Sequence, residues 1–151
     1  MRFVTELADR RTDMEREAAA VLSMQAMRLP GFVMLPGMRM LHRTFSNSDD
    51  GNPEDSVWAL VQPRLGQGWP WFPDGYGYGQ GIHVPDPDDP ATTGCLLSLL
   101  GPVHEAREAL AKQGAHTIAA RLSRSLMLSA ELGRSCMEAA VKLGHWPGGP
   151  K

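Results

Sequence analysis

No stretch of this chain approaches the roughly 18 consecutive apolar residues of a membrane helix. The first residues, MRFVTELADRRTDMERE, meet charge almost at once, where a secretory leader would carry an apolar core. Both absences point to a cytoplasmic protein with no membrane partner. Cysteine is scarce: Cys95 and Cys136 are the only two. Each stands among apolar residues in a helical pattern, which predicts buried thiols without a disulfide and suits a reducing compartment. An excess of one charge is also missing. Fifteen Lys and Arg against 17 Asp and Glu leave a formal net charge of −2, so nothing global draws the chain to nucleic acid. Strong catalytic and metal motifs are absent too. The five histidines, His42, His83, His104, His116 and His145, pair with no His or Cys at metal-ligand spacing. His104-Glu105 lacks the second histidine of a zinc protease. Ser98, Ser123 and Ser125 have no nucleophile-elbow context. No cofactor is implied.

What is present reads as one α+β domain over residues 1–146, followed by a short tail at 147–151. An amphipathic helix is expected from about Thr5 to Arg28. Val4, Leu7, Met14, Ala18, Val21 and Leu22 form its apolar stripe, which Arg11 interrupts. Pro30-Gly31 stops it. Met38 to Phe45 and Val57 to Val61 read as two strands of an antiparallel hairpin, joined by the polar loop Ser46 to Asp55 and closed by Pro63. Asp89-Pro90 is a helix entry, with the carboxylate set to accept first-turn N–H groups and proline where a missing N–H costs nothing. Leu96, Leu97, Leu99 and Leu100 anchor that helix, Gly94 suggests a close backbone approach, and Gly101-Pro102 ends it.

Val103 to Lys112 is a short helix with a turn at Gly114. From about His116 to Leu143 a single long helix is expected. It carries a line of small residues, Ser125, Ser129, Gly133, Cys136 and Ala140, fit for close packing. Either the first helix or the same helix of a second subunit could fill that line. Arg121, Arg124, Arg134 and Lys142 could form a basic strip on the same helix. His145 to Lys151 is expected to be a tail.

The densest chemistry lies between Gly66 and Leu100. Trp69, Trp71, Phe72, Tyr76 and Tyr78 are half of the chain's ten aromatics, and they are interleaved with glycines at 66, 68, 75, 77, 79 and 81. Such rings can complete a core, meet a second subunit or line a pocket. The glycines do not form a phosphate-binding loop, because no Lys-Ser/Thr follows them. His83 with Asp86, Asp88 and Asp89 is the one dense titratable cluster, readable as a plain turn with a helix cap or as the ligands of a metal-assisted hydrolase. Cys95 near a helix start could be a nucleophile, although its leucine neighbours favour an inert thiol.

Two segments together, Leu35-Pro36-Gly37-Met38 and Pro85-Asp86-Pro87-Asp88-Asp89-Pro90-Ala91-Thr92-Thr93-Gly94-Cys95-Leu96-Leu97, resemble small uncharacterised proteins of tailed phages and prophages. The likeness covers roughly residues 30–100 and implies a mobile-element accessory protein, with no activity to carry over. On these grounds the expected function leans away from catalysis, towards a phage accessory or counter-defence protein, a homo-oligomer that binds a host protein or a phosphate-bearing, nucleotide-like small molecule. Trp69, Trp71, Tyr76 and Tyr78 would stack on the guest, while Asp89 and Thr92 mark the helix start beside it. The alternatives are a hydrolase built on His83, Asp86 and Asp88, and a structural assembly module.

Overall fold

A computed structural model describes residues 4–45, 58–63, 80–125 and 129–150. The fold is α+β. A short strand β1 (Val4–Glu6) leads into helix α1 (Asp13–Met27), and strands β2 (Met40–Phe45), β3 (Ala59–Pro63) and β4 (Gln80–Pro85) follow. Four helices complete it: α2 (Pro90–Leu100), α3 (Val103–Lys112), α4 (His116–Ser125) and α5 (Ser129–Leu143). The sheet has the order β1-β3-β2-β4, with every neighbouring pair antiparallel. The expected hairpin is there, with Leu41 opposite Leu60. β3 and β4 are therefore parallel, with β2 between them; β3 ends near the start of β2, and β4 begins at its end.

The first helix starts later than its charge pattern suggests. Thr12 is the cap, its hydroxyl accepting the Glu15 N–H at 3.1 Å, and residues 4–6 join the sheet instead. Its buried side also differs from the expected stripe. Ala19, Ala20, Ser23 and Ala26 face inward, whereas Met14, Ala18 and Val21 face out. The reason is proximity. α1 lies on the face of the sheet that carries Leu41, Leu60 and Val84, and small side chains let the backbones approach. The Ser23 hydroxyl, fully buried, donates to the Pro85 carbonyl at 2.7 Å, which satisfies both polar groups.

The sheet's other face adds Met40 and Val61 to the main core, where they join Leu96, Leu99 and Leu100 of α2 with Leu132, Cys136, Met137 and Ala140 of α5. α2 starts and stops as its sequence dictates: Asp89 caps it, Pro90 opens it, and Gly101 at φ +82° ends it.

The expected long helix is two helices. Arg121 and Glu138 form an ion pair across α4 and α5. Seventeen residues apart on one straight helix they would be separated by about 25 Å, so the chain folds back between them. Two of the expected basic residues are thereby spent on carboxylates, Arg121 on Glu138 and Arg134 on Asp88. The small-residue line does meet a helix of its own chain, but its tightest contact is with the start of α2. A Cβ on Gly133 would lie 1.9 Å from the Pro87 carbonyl oxygen and 3.0 Å from Thr93 Oγ1. Gly94, by contrast, is exposed and has nothing within 4 Å of a Cβ. Gly133→Ala is expected to lower stability by about 1–3 kcal/mol through overpacking, read as a lower urea midpoint. An unchanged midpoint would mean that this contact is loose.

The chain beyond α5 is also packed. Trp146 is buried at 2% exposure, its indole N–H donating to the Ala26 carbonyl at 2.8 Å. The Gly148 N–H donates to Leu99 at 2.7 Å. What reads as a tail is stitched between the ends of α1 and α2.

Candidate functional site

The turn from β4 into α2 gathers the densest charge in the described chain. Pro85 and Pro87 fix the turn, and Asp86, Asp88 and Asp89 alternate with them. Asp86 is almost completely buried. Arg11, from the segment before α1, reaches it with both terminal nitrogens, at 2.9 and 2.7 Å. The same guanidinium contacts Asp88 at 3.0 Å and Asp9 at 2.8 Å. Arg134 of α5 closes the cluster from the far side, its Nη2 2.7 Å from Asp88. Two arginines thus hold three carboxylates, and the cluster joins three parts of the chain: the segment before α1, the turn into α2, and α5.

The titration of these groups follows from that arrangement. Burial raises the Asp86 pKa above the usual carboxylate range, and the Arg11 hydrogen bonds only partly oppose it. Asp9 is held below that range, chiefly by its hydrogen bond from Arg11. Burial works against the Arg11 charge, but the bonds to Asp9 and Asp86 outweigh it and raise its pKa. The bond to Asp88 raises that of Arg134.

Of the six candidate binding residues, Trp69, Trp71, Tyr76 and Tyr78 lie outside the described residues. Asp89 and Thr92 are brought together, and both serve the chain itself. One Asp89 oxygen accepts the Ala91 N–H at 2.9 Å; the other meets Arg39 Nη1 at 3.1 Å. Thr92 is fully buried. Its hydroxyl accepts the Arg39 N–H and donates to the Arg39 carbonyl, both at 3.1 Å. Those two residues lock the start of α2 to the strand that begins one residue after Arg39.

His83 stands apart from the carboxylates. It lies opposite His42 across β2 and β4, with the rings stacked 4.1 Å apart and within 9° of parallel. Burial, with the nearby His42, pushes the His83 pKa down to about 3, and burial lowers that of His42 as well. Both rings are therefore neutral near pH 7. No group of three or more His, Cys, Asp and Glu side chains among the described residues is arranged to hold a metal ion. His83, Asp86 and Asp88 do not converge on one point.

The two thiols carry no disulfide. Cys136 is buried and pushed up to about 12, a poor nucleophile. Cys95 is half-buried and also raised by burial, with its sulfur near the Pro36 and Ala91 carbonyls. A shallow cleft of about 330 Å³ lies at the carboxyl end, lined by Pro30, Gly31, His145, Trp146, Pro147, Gly149 and Pro150.

No protein family, curated protein or solved structure matches this chain. No helix among the described residues is long and apolar enough to cross a membrane.

Arg11, Arg39, Arg134 and His42 are the partners that the linear sequence does not mark as such. Arg134 figures there only in a basic strip and His42 only among the scattered histidines, whereas Arg11 shows as the charge interrupting an apolar stripe. It breaks the pattern because it precedes the helix and turns inward to the carboxylates.

Proposed function

We propose that this chain is a non-catalytic binding protein, a phage accessory or counter-defence factor that works in the host cytoplasm as a homo-oligomer. The observation that carries the reading is the engagement of the carboxylate turn. Asp86 and Asp88 are paired with Arg11 and Arg134, while Asp89 is divided between Ala91 and Arg39. A general acid, base or metal ligand must reach its substrate or ion, and these oxygens are already spent on the fold. The phage source rests on the likeness of residues 35–38 and 85–97.

The guest belongs to the segment between β3 and β4, which carries Trp69, Trp71, Tyr76 and Tyr78. Of the two guests, a host protein fits better than a phosphate-bearing molecule. A phosphate at the start of α2 would meet the Asp89 carboxylate, which already accepts a first-turn N–H. Trp and Tyr side chains are the common anchors of protein interfaces.

Native mass spectrometry of the untagged protein from infected or expressing cells tests this. A retained protein or nucleotide, released on denaturation and lost in Trp71→Ala and Tyr78→Ala, supports the reading. Metal bound in stoichiometric amount, together with a hydrolysis that Asp86→Asn abolishes, would overturn it. So would guest binding that both aromatic variants leave intact.

A further inference from the structure

The segment after α5 is held by residues far from it in sequence. The hydrogen bonds that leave residues 146–149 run to Ala26, Pro30 and Leu99, at the ends of α1 and α2. The slot that receives them is moulded to one sequence. A Cβ on Gly148 would lie 2.5 Å from the Ser98 carbonyl oxygen, and one on Gly149 would lie 1.7 Å from that of Gly31. The indole sits beside Phe32 and donates to the Ala26 carbonyl. A tryptophan followed two and three residues later by glycine meets all of these demands, as Trp146-Pro147-Gly148-Gly149 does. Only Gly144 and His145 connect this segment to α5, and both are exposed. Gly144 holds φ +83°, and an added Cβ there would meet nothing within 4 Å. Backbone conformation, not packing, sets that turn.

We propose that the strap, residues 144–150, also seats in the slot of a second copy, so that two chains exchange straps about a two-fold axis with Gly144 and His145 as the hinge. The proposal rests on the homo-oligomer part of the reading above and gives it a contact. The slot itself defines its occupant, because it fits the Trp-Pro-Gly-Gly segment that every copy carries. Each slot receives the same hydrogen bonds and the same ring whether the strap comes from its own chain or from the other. In the exchanged form α5 runs on through the hinge with ordinary negative φ. Glycine adopts either sign of φ at little cost, so the closed and exchanged forms are close in energy. Exchange also brings the two helix ends together and covers Val141, 37% exposed in the last turn of α5. Reciprocal exchange closes as a dimer, with no strap left over to extend it. Concentration and the hinge then decide between the two forms. The strap must leave its slot to pass from one to the other, so exchange is slow in the folded chain.

The experiment is to refold the chain from urea at a series of concentrations and follow it by sedimentation velocity. The wild type should run at twice 16.5 kDa when refolded concentrated and at 16.5 kDa when refolded dilute. Gly144→Val has room for its side chain but is strained at φ +83° by roughly tenfold per hinge. Its dimer dissociation constant should therefore be lower by about a hundredfold, counting both hinges. Cross-linking shows whose strap fills which slot. In a Cys95→Ala background, Pro30→Cys with Pro147→Cys places thiols on two prolines that line the same cleft. A short bis-maleimide should convert the dimer fraction into a covalent dimer on a denaturing gel, and the monomer fraction into a monomer linked within itself. A wild-type monomer at every concentration would overturn both the exchange and the homo-oligomer reading. A dimer that the reagent links only within each chain would overturn the exchange alone. So would a dissociation constant that Gly144→Val leaves unchanged.

Discussion

Trp146→Ala is expected to lower the free energy of unfolding by about 3–5 kcal/mol, the cost of emptying a buried aromatic site. Trp146 lies beyond the last helix, yet it is tied to the end of α1 and to the turn that follows it. Gly144, at φ +83°, turns the chain after α5. The Trp146 N–H then donates to Pro30 and its indole N–H to Ala26, both at 2.8 Å. The ring packs beside Phe32, with centroids 6.1 Å apart. The glycines around it permit contact between backbones: a Cβ on Gly31 would lie 2.4 Å from the Trp146 carbonyl oxygen, and one on Gly149 would lie 1.7 Å from that of Gly31. Removing the indole therefore opens a cavity and also releases the strap between α1 and α2. Trp146→Phe keeps most of the ring but leaves the Ala26 carbonyl without the indole donor, so a loss of about 1–3 kcal/mol is expected. Urea unfolding followed by circular dichroism separates the two variants. If Trp146→Ala costs less than about 1 kcal/mol, the strap is dispensable and the core ends at α5.

That strap shows what the sequence leaves unreadable. His145 to Lys151 is short, polar and rich in proline and glycine, which are the marks of an unfolded end. Whether a tryptophan there is buried depends on a slot formed by residues more than a hundred positions earlier. The same limit explains β4. Ile82-His83-Val84 is too short between its glycine and prolines to announce a strand, and its partner is β2 rather than the preceding strand. The buried side of α1 is not legible in the sequence, because hydrophobic patterning favours Met14 and Val21 over Ala19, Ala20 and Ser23. Tight packing against the sheet rewards the smaller side chains. No glycine or proline lies between Ser125 and Ser129, so nothing local separates α4 from α5. Local chemistry was legible where it was sufficient. The Asp89-Pro90 entry, the Gly101-Pro102 exit and the hairpin strands need only neighbouring residues. Of the candidate site, the sequence pointed to Asp89 and to the acidic turn, but their arginine partners come from distant segments.

The stacked histidines should make the fold sensitive to acid well before ordinary carboxylates titrate. An unfolded histidine has a pKa of about 6.5, whereas His83 is held down to about 3 and His42 is also lowered. Between those limits the unfolded chain binds protons that the folded chain refuses, so stability rises with pH and falls as acid is added. The contribution is fully present above about pH 6.5 and is lost progressively as the pH drops towards 3. Each pH unit crossed removes up to about 1.4 kcal/mol per excluded proton. Asp86 acts with the opposite sign, because its raised pKa favours the folded state as the pH falls through the carboxylate range. Asp9, with a lowered pKa, adds to the loss there. The histidine effect is therefore clearest between pH 6.5 and 5, above most carboxylate titration. Unfolding midpoints measured across that window should fall steadily in the wild type. His83→Phe keeps a flat ring against His42 but removes one titrating group. Whatever it does to stability at neutral pH, its slope over the same window should be shallower. An identical slope would mean that His83 takes up its proton in the folded state, with the stack opening to water before the chain unfolds.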